Sequence, residues 1–125
     1  MPLWAVVGLA VAGGLGAVAR FLLDAAIKSR IRRRFPIGTL VINLSGSFLL
    51  GLVTGLAAAH ALPPEWRAII GVGFLGGYTT FSTASFETVR LALERRWAAT
   101  LLNGFGVMLG ALLAAGLGLW IGGML

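Results

Sequence analysis

Cysteine is absent from this chain, histidine occurs once, and acidic side chains number only 4. Without thiols there is neither a disulfide nor a thiolate metal site. A single His60 excludes an imidazole cluster, and no nucleophile, base and orienting acid come together as an enzyme requires. Charge is scarce altogether: 10 Lys and Arg stand against 4 Asp and Glu in 125 residues, 58% of them hydrophobic, with 19 glycines. That composition is too apolar for a soluble domain of this size and marks an all-α integral membrane protein. The net charge of +6 belongs to loops at a membrane surface. Nucleic acid is not a partner, because no soluble basic module exists to hold it.

Divided at its charges and turn residues, residues 1–125 form one transmembrane unit of four apolar stretches, each near the roughly 20 residues a helix needs to cross lipid. The expected spans are Trp4 to Leu23, Gly38 to His60, Arg67 to Thr88 and Trp97 to Gly122. Pro36 and the pair Pro63-Pro64 fall in the connections, where a missing N–H does no damage. Trp4, Trp66, Trp97 and Trp120 lie at span ends, the place of indoles anchored at headgroup level. Gly71-Val72-Gly73-Phe74-Leu75-Gly76 fits a dinucleotide fingerprint but follows no strand, and Ala17-Val18-Ala19 imitates a signal cleavage site with no Lys or Arg before it.

Within the third span runs Gly76-Gly77-Tyr78-Thr79-Thr80-Phe81-Ser82-Thr83-Ala84-Ser85-Phe86-Glu87. Paired glycines loosen a helix, so a break near 76–80 is expected. Its freed N–H and C=O groups must be buried in protein or line a polar cavity. Hydroxyls at that depth point to an ion or substrate pathway. Elsewhere small residues recur at every fourth position: Gly8, Ala12, Gly16 and Arg20 in the first span, Asn43, Ser47, Gly51 and Gly55 in the second, Gly106/Gly110 and Gly118/Gly122 in the fourth. Such stripes let helices approach closely.

Gly13-Gly14-Leu15-Gly16-Ala17-Val18-Ala19-Arg20, Pro36-Ile37-Gly38-Thr39-Leu40-Val41-Ile42-Asn43-Leu44-Ser45-Gly46 and Gly73-Phe74-Leu75-Gly76-Gly77-Tyr78-Thr79-Thr80-Phe81-Ser82-Thr83 resemble, in order and spacing, the Fluc/CrcB fluoride channels. The resemblance covers the whole chain. It implies an antiparallel dimer of inverted four-helix subunits in a bacterial plasma or inner membrane, and a channel through which fluoride leaves the cytoplasm passively. It also implies a structural sodium ion at the dimer interface, held by backbone carbonyls at the break in the third helix, here Gly76 and Thr79. Unwound carbonyls are suitable ligands for a hard cation.

By the same resemblance Asn43 and Phe81 line the constriction, Thr39, Ser82 and Thr83 belong to a polar track with Ser85, and Arg20 and Glu87 lie at a vestibule. The chemistry suits fluoride, whose water must be replaced by close donors that do not trap it. Asn43 has two amide N–H groups, the hydroxyls can turn a hydrogen toward an anion, and a phenyl ring is electropositive at its edge. Two departures stand out. Ala84 occupies the position of a second Phe, with Phe86 about 200° away around a helix, and Asn103 is the one strongly polar residue of the fourth span beyond Thr100 near its entrance.

A dual-topology exporter of organic cations would share this length and composition, but it needs a membrane-embedded carboxylate that the first span lacks. Cations are distributed unevenly. The first connection holds Lys28, Arg30, Arg32, Arg33 and Arg34 and the third Arg90, Arg95 and Arg96, while the second has only Arg67 near its end. The positive-inside rule then places the first and third connections in the cytoplasm. The dimer is therefore a homodimer working against this bias or a heterodimer with an oppositely biased paralogue.

Overall fold

The computed structural model describes residues 1–31 and 35–125; Arg32, Arg33 and Arg34 of the basic first connection lie outside the described residues. Every regular element among the described residues is helical. Helix α1 spans Leu3–Arg30, 28 residues, or about 42 Å at the helical rise, more than a hydrocarbon core of about 30 Å requires. It continues past Leu23 because no Gly or Pro interrupts residues 24–30. Loss of apolar character marks where lipid ends, not where the backbone stops being helical. That extension carries the ion pair of Lys28 Nζ with Asp24 Oδ2 at 2.9 Å, four residues apart.

Helix α2, Ile37–His60, starts directly after Pro36 and stops at Ala61, which takes the left-handed conformation at φ 52°, ψ 47°. Helix α3 is a continuous rod built of Pro64–Arg67, a π-helical stretch Ala68–Leu75 and a last α-turn Gly76–Tyr78. Pro64 sits at its first turn, where a missing N–H is harmless. Residues 79–81 are not helical, and helix α4, Ser82–Leu93, comes next. Helix α5, Trp97–Met124, is π-helical over Leu102–Gly106. Three of these, α1, α2 and α5, are long and apolar enough to cross a membrane. The remaining crossing is divided between α3 and α4.

Backbone contacts through glycine hold the bundle together. A methyl on Gly51 would run into the Ala115 carbonyl and one on Gly55 into that of Leu119; in return Gly118 lies against the Phe48 carbonyl and Gly122 against that of Leu52. The stripes of α2 and α5 thus mesh reciprocally, so dispersion acts where lipid gives no hydrophobic drive. On the other side of the bundle α1 meets α3 the same way, with Gly16 on the Phe74 carbonyl and Gly77 on that of Gly13.

This contact explains a difference from expectation at the glycine pair. Gly76 and Gly77 are helical, Gly76 at φ −63°, ψ −40°, and the chain leaves the helix only at Thr79, at φ −79°, ψ 159°. Gly77 serves close approach to α1. A small core of Ile42, Leu75 and Tyr78, flanked by Ala19, Leu23 and Phe74, packs beside the interruption. Phe74 and Tyr78 stack at 6.2 Å, and the Tyr78 hydroxyl meets Ser45 Oγ at 3.0 Å. Outward residues such as Val11, Leu15, Phe21, Leu112 and Leu113 are exposed apolar surface suited to lipid.

Candidate functional site

The interruption is held open by one side chain. Asn43 on α2 donates from Nδ2 to the Thr80 carbonyl at 2.9 Å and accepts the Thr80 N–H on Oδ1, also at 2.9 Å. A carboxamide paired in this way copies the pattern of a neighbouring strand and takes Thr80 out of the helical ladder. Among the described residues the second N–H of its Nδ2 has no acceptor. Thr80 then caps the start of α4, its Oγ1 accepting the N–H of Thr83 at 3.1 Å.

Two helix ends of opposite polarity face each other across residues 79–81. At the end of α3, the Leu75 carbonyl takes both the N–H and the Oγ1 of Thr79, at 2.9 and 3.0 Å. The Gly77 carbonyl takes Arg20 Nε at 3.3 Å. Among the described residues no donor meets the carbonyl of Gly76 or of Thr79. At the start of α4, the N–H groups of Ser82 and Ala84 meet no acceptor among the described residues, whereas that of Ser85 reaches the Phe81 carbonyl at 2.9 Å. The α3 end carries partial negative charge and hard oxygens; the α4 end carries partial positive charge and free donors. Such a pair suits a cation on one side and an anion on the other.

Both ends border a cavity of about 770 Å³ walled by α2, α3, α4 and α5. Of the residues expected from sequence, Asn43, Gly76, Thr79, Phe81 and Ser85 line it, and so does Ala84. Phe81 is 87% exposed, so a single chain leaves its ring almost uncovered. Thr39, Ser82, Thr83, Glu87 and Arg20 are not part of that wall. Thr39 and Glu87 are both buried and joined to each other, with Thr39 Oγ1 donating to Glu87 Oε1 at 2.5 Å. This bond ties the first turn of α2 to the middle of α4, and it uses the only hydrogen of the Thr39 hydroxyl.

Three participants had no role assigned to them from sequence. Thr80 works through its backbone and its cap. Thr88 and Asn103 join α4 to α5: Asn103 Nδ2 reaches Thr88 Oγ1 at 2.8 Å and the Ala84 carbonyl at 3.2 Å. A lone amide in an apolar span was the available signal for Asn103. Nothing in the sequence distinguishes Thr80 from Thr79 beside it.

Residues 7–119 match the family described as CrcB-like protein, Camphor Resistance (CrcB). The chain is 64% identical over 119 residues to fluoride-specific ion channel FluC 1 of Leifsonia xyli, covering 95% of this chain and 87% of that one. It is 51% identical over 112 residues to FluC 2 of Cutibacterium acnes, covering 89% and 91%. With FluC of Solibacter usitatus it shares 43% over 118 residues, covering 94% and 93%.

Proposed function

The chain belongs to the CrcB family of fluoride-specific ion channels, which are not enzymes, and from that premise we propose that it lets fluoride leave the cytoplasm passively along the interrupted third crossing. The observation that carries the reading is the Asn43 clamp, which opens the positive end of α4 onto the cavity. Fluoride holds its water tightly, and the groups that replace that water are unspent donors: the second N–H of Asn43, the N–H groups of Ser82 and Ala84, the Ser85 hydroxyl and the edge of the Phe81 ring. Ser82 and Thr83 continue the polar track from the same helix end. Thr39 backs the track from behind the cavity wall, its hydroxyl held by Glu87. Arg20 and Glu87 border the vestibule, where the guanidinium favours anion entry.

The carbonyls of Gly76 and Thr79 fit a structural sodium ion. Among the described residues they are oxygens without donors at the negative end of α3, and hard cations take such ligands. Two oxygens from one chain are too few for the ion, so a second, inverted subunit supplies the rest. Phe81 fits that antiparallel dimer, since it lines the polar cavity and is 87% exposed within one chain, open to be covered by the second subunit. The basic first and third connections favour one orientation, in the inner membrane of a bacterium with both termini outside. A heterodimer with an oppositely biased paralogue accommodates this bias better than a homodimer.

Fluoride efflux from liposomes holding the purified chain, read with a fluoride electrode against a chloride control, tests the reading. Rapid fluoride release without chloride release is expected once both subunits of the dimer are present. Retention of fluoride by liposomes that contain the chain with its dimer partner overturns it.

A further inference from the structure

Asn103 lines the same cavity as Asn43, yet the two amides are spent differently. Asn103 is 4% exposed, so its polar atoms depend on protein partners. The single hydrogen of the Thr88 hydroxyl goes to the Ala84 carbonyl at 2.8 Å. Thr88 Oγ1 can therefore only accept from Asn103, which fixes Nδ2 toward it. Nδ2 also donates toward the Ala84 carbonyl at 3.2 Å. Thr88 Oγ1 and the Ala84 carbonyl, themselves 2.8 Å apart, thus lie on the same side of Nδ2, and together they tie the amide nitrogen to α4.

The carbonyl on which these bonds converge lies one turn into α4. Ala84 comes three residues after Phe81 and directly before Ser85, and all three line the cavity. Asn103 stands in the π-helical turn Leu102–Gly106 of α5, so the cluster bridges two crossings of the membrane. No other side-chain hydrogen bond joins α4 to α5 among the described residues.

We propose that Asn103 is a positioning residue that acts through Thr88 and the Ala84 carbonyl to set the rotation of α4 about its axis, and so the placement of Phe81 and Ser85 along the fluoride pathway. The inference rests on the channel reading. It also gives the chain's departure at position 84 a consequence: with alanine there, the cavity wall is set by the amide behind it in place of a second ring.

The test is a double-mutant cycle on fluoride flux and on fluoride-over-chloride selectivity, using Asn103→Ala, Thr88→Val and the pair. Asn103→Ala should lower flux roughly tenfold and reduce selectivity. Thr88→Val, close to isosteric and therefore expected to fold, should lower flux roughly threefold. If Asn103 acts through α4, adding Thr88→Val to Asn103→Ala costs nothing further. A thiol at Ser85→Cys should also react with a water-soluble reagent at a rate changed several-fold by Asn103→Ala. Wild-type flux and selectivity in both single variants, or losses that multiply in the pair with the Ser85→Cys rate unmoved, overturn the inference. A wild-type chain that conducts no fluoride even together with its dimer partner overturns the channel reading first, and the inference with it.

Discussion

Replacing Asn43 by aspartate probes the clamp and the pathway together. The carboxylate still accepts the Thr80 N–H, but where Nδ2 now donates to the Thr80 carbonyl at 2.9 Å it sets an acceptor against an acceptor. Losing that bond costs about 1 kcal/mol, and leaving a part-buried carbonyl unpaired adds about 1–3 kcal/mol. The charge acts separately. A carboxylate about 4 Å from a passing fluoride repels it by about 4 kcal/mol at an effective dielectric constant of about 20, which lowers occupancy about a thousandfold. Fluoride flux through Asn43→Asp in liposomes should therefore fall below detection. Asn43→Leu, similar in volume but uncharged, removes both clamp bonds without the repulsion and should retain a measurable fraction, as should Asn43→Ser with its one hydroxyl. Thermal unfolding in detergent should show both Asn43→Asp and Asn43→Leu destabilised. Unchanged fluoride flux in Asn43→Asp would remove Asn43 from the pathway. Equal losses in Asn43→Asp and Asn43→Leu would mean that the clamp alone matters.

Phe81→Ala should leave the protein as stable as the parent, since the ring is exposed within the chain, while cutting fluoride flux severely. Ala84→Phe should fold, because position 84 borders the cavity, and should change throughput; parental flux in both variants would show that aromatic edges play no part. Gly77→Ala drives a methyl into the Gly13 carbonyl and should lower the melting temperature by the equivalent of about 1–3 kcal/mol, whereas Gly14→Ala meets nothing within 4 Å and should leave it alone. Cysteines engineered into the first connection of chain expressed by itself in cells should react from the cytoplasmic side only. Heavy labelling from both sides, with fluoride resistance conferred by this chain alone, would establish the homodimer. Exchange of sodium for a large organic cation on both sides should weaken the dimer and flux together, read by size-exclusion and by the electrode.

How far each feature was legible depends on the range over which its cause acts. Composition and the spacing of charges are properties of the chain itself. They established an all-helical membrane protein, the apolar runs and the charge bias of the connections. The run from Gly73 to Thr83 marked the third crossing as the place where chemistry departs from simple spanning. Asn43 and Phe81, which both line the cavity, stood out in the sequence because an amide and a ring within one family pattern are few enough to pick out.

What the chain could not display locally is where each backbone group finds its partner. Gly76-Gly77 reads as a weak point in a helix, yet both residues stay helical because α1 presses against Gly77, and the helix yields three residues after Gly76, at Thr79, where Asn43 takes up the backbone of the next residue. That bond links positions 37 residues apart. It exists only because glycine contacts fix how closely the helices approach. The same holds for Asn103, which reads as a lone amide in an apolar span until Thr88 and the Ala84 carbonyl are seen to hold its nitrogen against α4. The sequence by itself determined which donors and acceptors lie at membrane depth. Only the tertiary structure decided which of them are spent on each other and which remain for an ion, because pairing depends on distances between helices that a local pattern does not contain.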